Sequence, residues 1–209
     1  ALVLEDRTVT WAQLYARACQ VAQALAADGI GSQDRIAFLD RNGIEHFEVL
    51  YGAALLNAVV VAVNWRLAPP EVEVIVQDSG ADLLIVGPDY VSVLDSLSVR
   101  RSIVIGRDYE PWVDAHDPVD PGAAPVGPDV AFQLYSSGTT GKPKGVMTVN
   151  DNLFQATLLE FFQSHLGVGS NGVTPVALPL FHMRPADALG ACSARRSVPG
   201  RRRPRAPPL

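Results

Sequence analysis

The chain reads as a layered α/β fold, a largely parallel sheet with helices on both faces. Three features of its 209 residues predict this. Short runs rich in β-branched residues alternate with longer segments of helical period, the order expected of parallel strands joined by crossover helices. The runs at 58–63 and 82–86 show little polar alternation, as strands covered on both faces must. Apolar residues make up 48% of the chain and charged residues 19%, which supports a packed core and excludes a disordered polymer.

Leu2–Leu4 and residues 8–10 are expected to pair as a short hairpin turning at Glu5-Asp6-Arg7. A helix follows. Thr10 is a natural N-cap, and Gln13 three positions later completes a capping box. Trp11, Leu14, Tyr15, Ala18, Val21, Ala22 and Leu25 recur at helical spacing. Gly29 stands where the left-handed C-terminal residue belongs. Residues 35–39 form a strand, and a helix from about Gly43 turns Ile44, Phe47, Leu50, Tyr51, Ala54 and Leu55 to one side.

After the strand at 58–63, Pro69-Pro70 opens a helix that ends near Ser79-Gly80. A strand at 82–86, a short helix at 89–97 and a strand at 102–105 come next. The stretch 108–129, rich in Pro, Gly and Asp, is expected to be a surface linker. Residues 130–135 return to strand. Residues 151–165 form a helix with Leu153, Phe154, Leu158, Phe161 and Phe162 on its apolar face, and 173–178 is a last strand interrupted by Pro175. No internal repeat is visible.

No run of 18 apolar residues exists, which excludes a membrane-spanning helix of that kind. The first residues lack the basic start and long apolar stretch of a signal peptide. Cys19 and Cys192 form neither a disulfide framework nor a metal-ligand spacing. A cytoplasmic location is the expectation.

Chemistry concentrates in one string, Tyr135-Ser136-Ser137-Gly138-Thr139-Thr140-Gly141-Lys142-Pro143-Lys144-Gly145. It follows a strand and precedes another β-prone run. Its glycines let the backbone turn tightly and approach a ligand. Ser136, Ser137, Thr139 and Thr140 offer hydroxyl donors, and Lys142 and Lys144 are the only two lysines in the chain. Donors and charge at this density suit a polyphosphate. A polar hairpin turn is the plainer alternative. The string is not a Walker A loop, because Pro143 occupies the position that pattern reserves for its second glycine.

From Tyr135 to Val146 the string resembles the signature of the adenylate-forming (AMP-binding) superfamily. That superfamily comprises acyl-CoA synthetases, luciferases and peptide-synthetase adenylation domains. Val9-Thr10-Trp11-Ala12-Gln13-Leu14, Gln33-Asp34-Arg35-Ile36-Ala37, Asn64-Trp65-Arg66-Leu67 and Pro179-Leu180-Phe181-His182 are similar to further family motifs, in the family's order. Thr139-Thr140 and the Asn64-Trp65-Arg66-Leu67 turn look more like the acyl-CoA synthetase branch. One departure follows the string: Asn150-Asp151-Asn152-Leu153 stands where the family often has a histidine before Asn-Leu. Asn150 or Asp151 still caps the helix, and no chemistry is expected to be lost.

The resemblance implies a function. Family members use Mg-ATP to convert a carboxylic acid to acyl-AMP, and the acyl-CoA synthetases then pass the acyl group to coenzyme A. Carried over by position, Ser136, Ser137, Gly138, Thr139, Thr140, Gly141, Lys142 and Lys144 would hold the β- and γ-phosphates. His182 would lie beside the acyl and α-phosphate site as a catalytic residue, although a histidine after an apolar strand is also a common structural residue. Phe181 would border the acyl pocket. A fatty acid is the expected substrate, with ATP, Mg²⁺ and coenzyme A as its companions. No residue here is assigned as a metal ligand, and nucleic acid is not an expected partner.

Charge divides the chain. Residues 1–183 carry ten Lys and Arg against 21 Asp and Glu, whereas 184–209 carry seven Arg and one Asp. The family pattern stops after Met183, so 1–183 is read as a partial N-terminal adenylate-forming domain. The Arg- and Pro-rich tail at 184–209 has three readings: an out-of-frame translation of GC-rich DNA, which is preferred; a solvated, disordered tail; or a basic arm for nucleic acid or anionic lipid. Family members are more than twice this length and carry adenine and ribose motifs, an acidic Mg²⁺ residue and a C-terminal catalytic lysine further on. The chain as written is therefore expected to have little or no ligase activity. The alternative function is a truncated, non-catalytic remnant that binds nucleotide weakly at most.

Other polar clusters are expected to be structural. Asp108, Glu110, Asp114, His116, Asp117 and Asp120 match no metal-ligand pattern and are read as part of the solvated linker. Glu45, His46 and Glu48 start a helix, where negative charge suits the dipole. Cys19 is a small core residue.

Overall fold

The computed structural model describes residues 2–136, 143–153, 155 and 179–181. Strands β1 (Leu2–Leu4) and β2 (Arg7–Val9) pair antiparallel. Their turn is tighter than expected: Glu5 takes φ 53°, so Glu5-Asp6 alone makes the bend, and Arg7 pairs with Leu4. Helix α1 (Trp11–Ala27) starts at the expected capping box. The Gln13 N–H donates to Thr10 Oγ1 at 3.2 Å, and the Thr10 N–H donates to Gln13 Oε1 at 2.9 Å. Gly29, at φ 80°, ends it.

Among the described residues, the central sheet has six strands in the order β6-β5-β3-β4-β7-β8. These are β3 (Arg35–Leu39), β4 (Val59–Ala62), β5 (Leu83–Val86), β6 (Arg101–Val104), β7 (Val130–Ser136) and β8 (Lys144–Val149). The first five in that order run parallel, and β8 joins β7 antiparallel. Side chains alternate between two cores. Ile36, Phe38, Val60, Leu83, Ile85 and Ile103 pack against α1, α2 (Ile44–Leu55) and α4 (Tyr109–Asp114). Ala37, Leu39, Val61, Leu84, Val86 and Val104 pack against α3 (Pro69–Ser79) and a 3-10 helix at Pro88–Asp95. Neighbouring strands β3 and β4 thus send their helices to opposite faces, which makes their carboxyl ends the switch point of the sheet.

Two expectations change. The helix placed at 89–97 is a 3-10 helix at Pro88–Asp95. Val91, Leu94 and Leu97, spaced by three, pack against one core, and a three-residue turn serves that spacing. The expected surface linker begins with α4, whose Tyr109, Trp112 and Val113 are buried. The Arg17 guanidinium holds this segment. It donates to Glu48 at 3.3 Å, Asp114 at 2.7 Å and Glu110 at 2.7 Å. Residues 116–120 are tied along α1 by Gln20 to the His116 carbonyl, Gln23 to the Val119 carbonyl and the Tyr15 hydroxyl to Asp120. Glu110, Asp114 and Asp120 are therefore partners of α1, whereas Asp108 pairs with Arg107 and accepts the Val104 N–H. The helix expected at 151–165 is described at 151–153 and 155, which are helical, while the strand expected at 173–178 and the tail at 184–209 lie outside the described residues. Among the described residues no helix is long and apolar enough to cross a membrane.

Glu48 is buried, and its second oxygen accepts the Tyr109 hydroxyl at 2.9 Å. Burial pushes its carboxyl up while Arg17 and Tyr109 pull it down. Arg17→Leu strands that carboxylate and is expected to cost about 3 kcal/mol in urea unfolding at pH 7. Glu110→Ala removes an exposed partner and is expected to cost less than about 1 kcal/mol. His46 is fully enclosed beside Phe38, ring centroids 4.4 Å apart, and its Nδ1 has no hydrogen-bond partner. Burial lowers its pKa from 6.5 to about 4. The unfolded chain binds this proton first, so stability is lost as pH falls from 6.5 towards 4. Denaturation across this range is expected to show His46→Leu flattening that loss, by roughly 3 kcal/mol.

Candidate active site

The string at 135–145 bridges β7 and β8 at the carboxyl edge of the sheet. Ser136 ends β7 and Lys144 begins β8, both exposed and paired with each other across the hairpin. The next rung pairs Tyr135 with Gly145. The Tyr135 hydroxyl donates to Asp78 of α3 at 2.6 Å and accepts from Gln133 Nε2 at 3.1 Å. Burial and Asp78 push the Tyr135 phenol up, so it stays protonated as a donor. A Cβ on Gly145 would come within 2.5 Å of Gln133 Nε2 and 3.1 Å of the Tyr135 ring. The glycine is needed there for close approach between strands. Ser137, Gly138, Thr139, Thr140, Gly141, Lys142 and His182 lie outside the described residues.

Phe181, the expected wall of the acyl pocket, packs against Ala62 at the end of β4 and against Phe132 and Leu134 within β7. The preceding Leu180 packs on Leu14 and Phe47, and its N–H donates to Asn42 Oδ1 at 2.8 Å. This segment therefore lies across the carboxyl ends of β3, β4 and β7, two residues from Ser136 along β7. Phe181 meets Trp65 edge-on, centroids 6.2 Å apart. Trp65 in turn lies under two guanidiniums, Arg66 at 4.7 Å and Arg41 at 5.5 Å. Asn64 Oδ1 accepts the Arg66 N–H at 2.9 Å and shapes the turn that presents the indole. Among the described residues, no cluster of three or more His, Cys, Asp or Glu is placed to hold a metal ion.

Sequence reasoning missed Asn42, Asp78 and Gln133. Asn42 and Asp78 lie 138 and 57 positions from their partners, and no local pattern marks such pairs. Gln133 sits on the same strand face as Tyr135, a period-two signal that could have found it.

A family model described as AMP-binding enzyme matches residues 1–192. The chain belongs to this AMP-binding enzyme family. The fatty acid–[acyl-carrier-protein] ligase ScoC of Streptomyces coeruleorubidus is 37% identical over 158 residues, covering 74% of this chain and 30% of that protein. The long-chain-fatty-acid–CoA ligase FadD13 of Mycobacterium tuberculosis is 34% identical over 187 residues, 85% of this chain and 36% of the relative. The chain spans about a third of the length of these curated AMP-binding relatives. Among solved structures, the inhibitor-bound N-terminal domain of FACL13 from Mycobacterium tuberculosis aligns with a TM-score of 0.77 at 33% identity, covering 91% of this chain and 49% of that one. ATP-bound MatB from Rhodopseudomonas palustris, at 22% identity and a TM-score of 0.79 over 92% of this chain and 41% of that one, shares the fold. The α/β architecture is thus that of adenylate-forming N-terminal domains.

Gly145→Ala displaces Gln133 from the Tyr135 hydroxyl at the base of the β7–β8 hairpin. It is expected to cost about 1–2 kcal/mol in urea unfolding. Gly31→Ala, whose Cβ would meet nothing closer than 3.6 Å, is expected to change stability by less than about 0.5 kcal/mol.

Proposed function

We propose that this chain supplies the triphosphate-gripping part of an ATP-dependent acid–thiol ligase, one that activates a fatty acid as acyl-AMP and delivers it to coenzyme A. One observation carries the reading. The Ser-, Thr-, Gly- and Lys-rich string is mounted at the carboxyl edge of a parallel sheet, with Ser136 and Lys144 exposed at its two ends. The relatives support acid activation: two act on fatty acids, and a further one, 34% identical, is a feruloyl-CoA synthase of Amycolatopsis.

The chemistry asks for charge stabilisation more than for covalent help. The acid's carboxylate oxygen bonds to the α-phosphorus as the bond to the pyrophosphate oxygen breaks, and negative charge builds on the leaving group. Hydroxyls of Ser136, Ser137, Thr139 and Thr140, amides at Gly138 and Gly141, and the ammonium groups of Lys142 and Lys144 are proposed to hold the β- and γ-phosphates and neutralise that charge. Magnesium is proposed to enter on the nucleotide's own phosphates. His182, next in sequence to the buried Phe181, is proposed to orient the acyl and α-phosphate groups, and Phe181 to keep water from the mixed anhydride. The thiol sulfur of coenzyme A then bonds to the acyl carbon as AMP leaves.

Titration calorimetry of the 209-residue chain with MgATP tests the grip. Lys144→Ala is expected to weaken binding by about tenfold. Equal affinity in wild type and variant would count against the proposal.

A further inference from the structure

We propose that Asp78 and Tyr135 are positioning residues for the triphosphate, an assignment that rests on the ligase reading above. Their hydrogen bond fixes the two strand ends that present Ser136 and Lys144.

Residues Lys144 to Met147 of β8 are exposed, and among the described residues β7 alone pairs with it in the sheet. On the rung beside Ser136 and Lys144, only Tyr135 carries a side chain, because its partner is Gly145. The Tyr135 ring lies over that glycine, takes a hydrogen bond from buried Gln133, and donates to Asp78. The phenol oxygen thereby uses its proton and a lone pair, which selects one orientation of the ring. Three elements, α3, β7 and β8, meet at this atom.

Asp78 is not required for the core. Helix α3 is already anchored through buried Val72, Ile75, Val76 and Ser79, and Asp78 itself is exposed. A 2.6 Å bond from an exposed helical carboxylate to the stem of the string aligns the string more than it stabilises the fold.

The test is titration of the full 209-residue chain with MgATP and with AMP, in wild type, Tyr135→Phe, Asp78→Ala, the double variant and Asp78→Asn. Each of the first two changes is expected to weaken MgATP binding about fivefold, with AMP binding unchanged. The double variant is expected to be no weaker than either single one. Asp78→Asn keeps an acceptor oxygen and is expected to restore most of the MgATP affinity. Equal weakening of MgATP and AMP, additive losses, or unchanged MgATP affinity would overturn the positioning role while leaving the ligase reading in place. Wild type that binds MgATP no more tightly than AMP would overturn both.

Discussion

Strands buried on both faces leave the chain few places for polar chemistry. Val59, Val61, Leu83, Leu84 and Ile85 are wholly enclosed between the two helical layers. Burying each such side chain is worth about 1.5–3 kcal/mol, more than the roughly 1 kcal/mol of a single net hydrogen bond. The sheet therefore sets the fold, and polar residues collect where strands end. At the carboxyl ends of β3, β4 and β7 these are Asn42, Asn64 and Ser136, with Trp65 and Phe181 between them.

The hairpin at that edge is a different construction from the rest of the sheet. Five strands are parallel and connected by long crossovers, which suits burial. β8 returns antiparallel within a short connection, which suits a strap held at both ends. A ligand gripped between Ser136 and Lys144 would feel the rigidity of β7, which β4 supports over Val60 to Ala62. The Pro179-Leu180-Phe181 segment is pinned by the Asn42 carboxamide and by packing on Phe132 and Leu134, the latter two residues from Ser136 along β7.

Much of this was legible in the sequence because it is local. Thr10 and Gln13 announce a helix start by their spacing, and 58–63 announces a covered strand by composition. The string at 136–144 is legible as chemistry, since no core requires four hydroxyls and two lysines in nine residues. Segment 109–114 was not legible. Six residues span under two turns, too few for a periodic signal, and its acidic, Pro-bearing composition mimics a linker. What makes it a buried helix is the packing of Tyr109, Trp112 and Val113 into the core beside α1, with Arg17 pairing to Glu110 and Asp114 from 93 and 97 positions away. The same holds for Asn42 and for Arg41 over the Trp65 indole, where the partners are far apart in sequence and meet only after the sheet has formed.

A crystal structure of the 209-residue chain with magnesium and a non-hydrolysable ATP analogue addresses the central claim most directly. The account predicts terminal phosphates between the ends of β7 and β8, within about 3 Å of Ser136 Oγ and Lys144 Nζ. Phosphates bound elsewhere, for instance against Arg101 and Arg107 in the open groove beside Trp112, with the strap free of ligand, would contradict it.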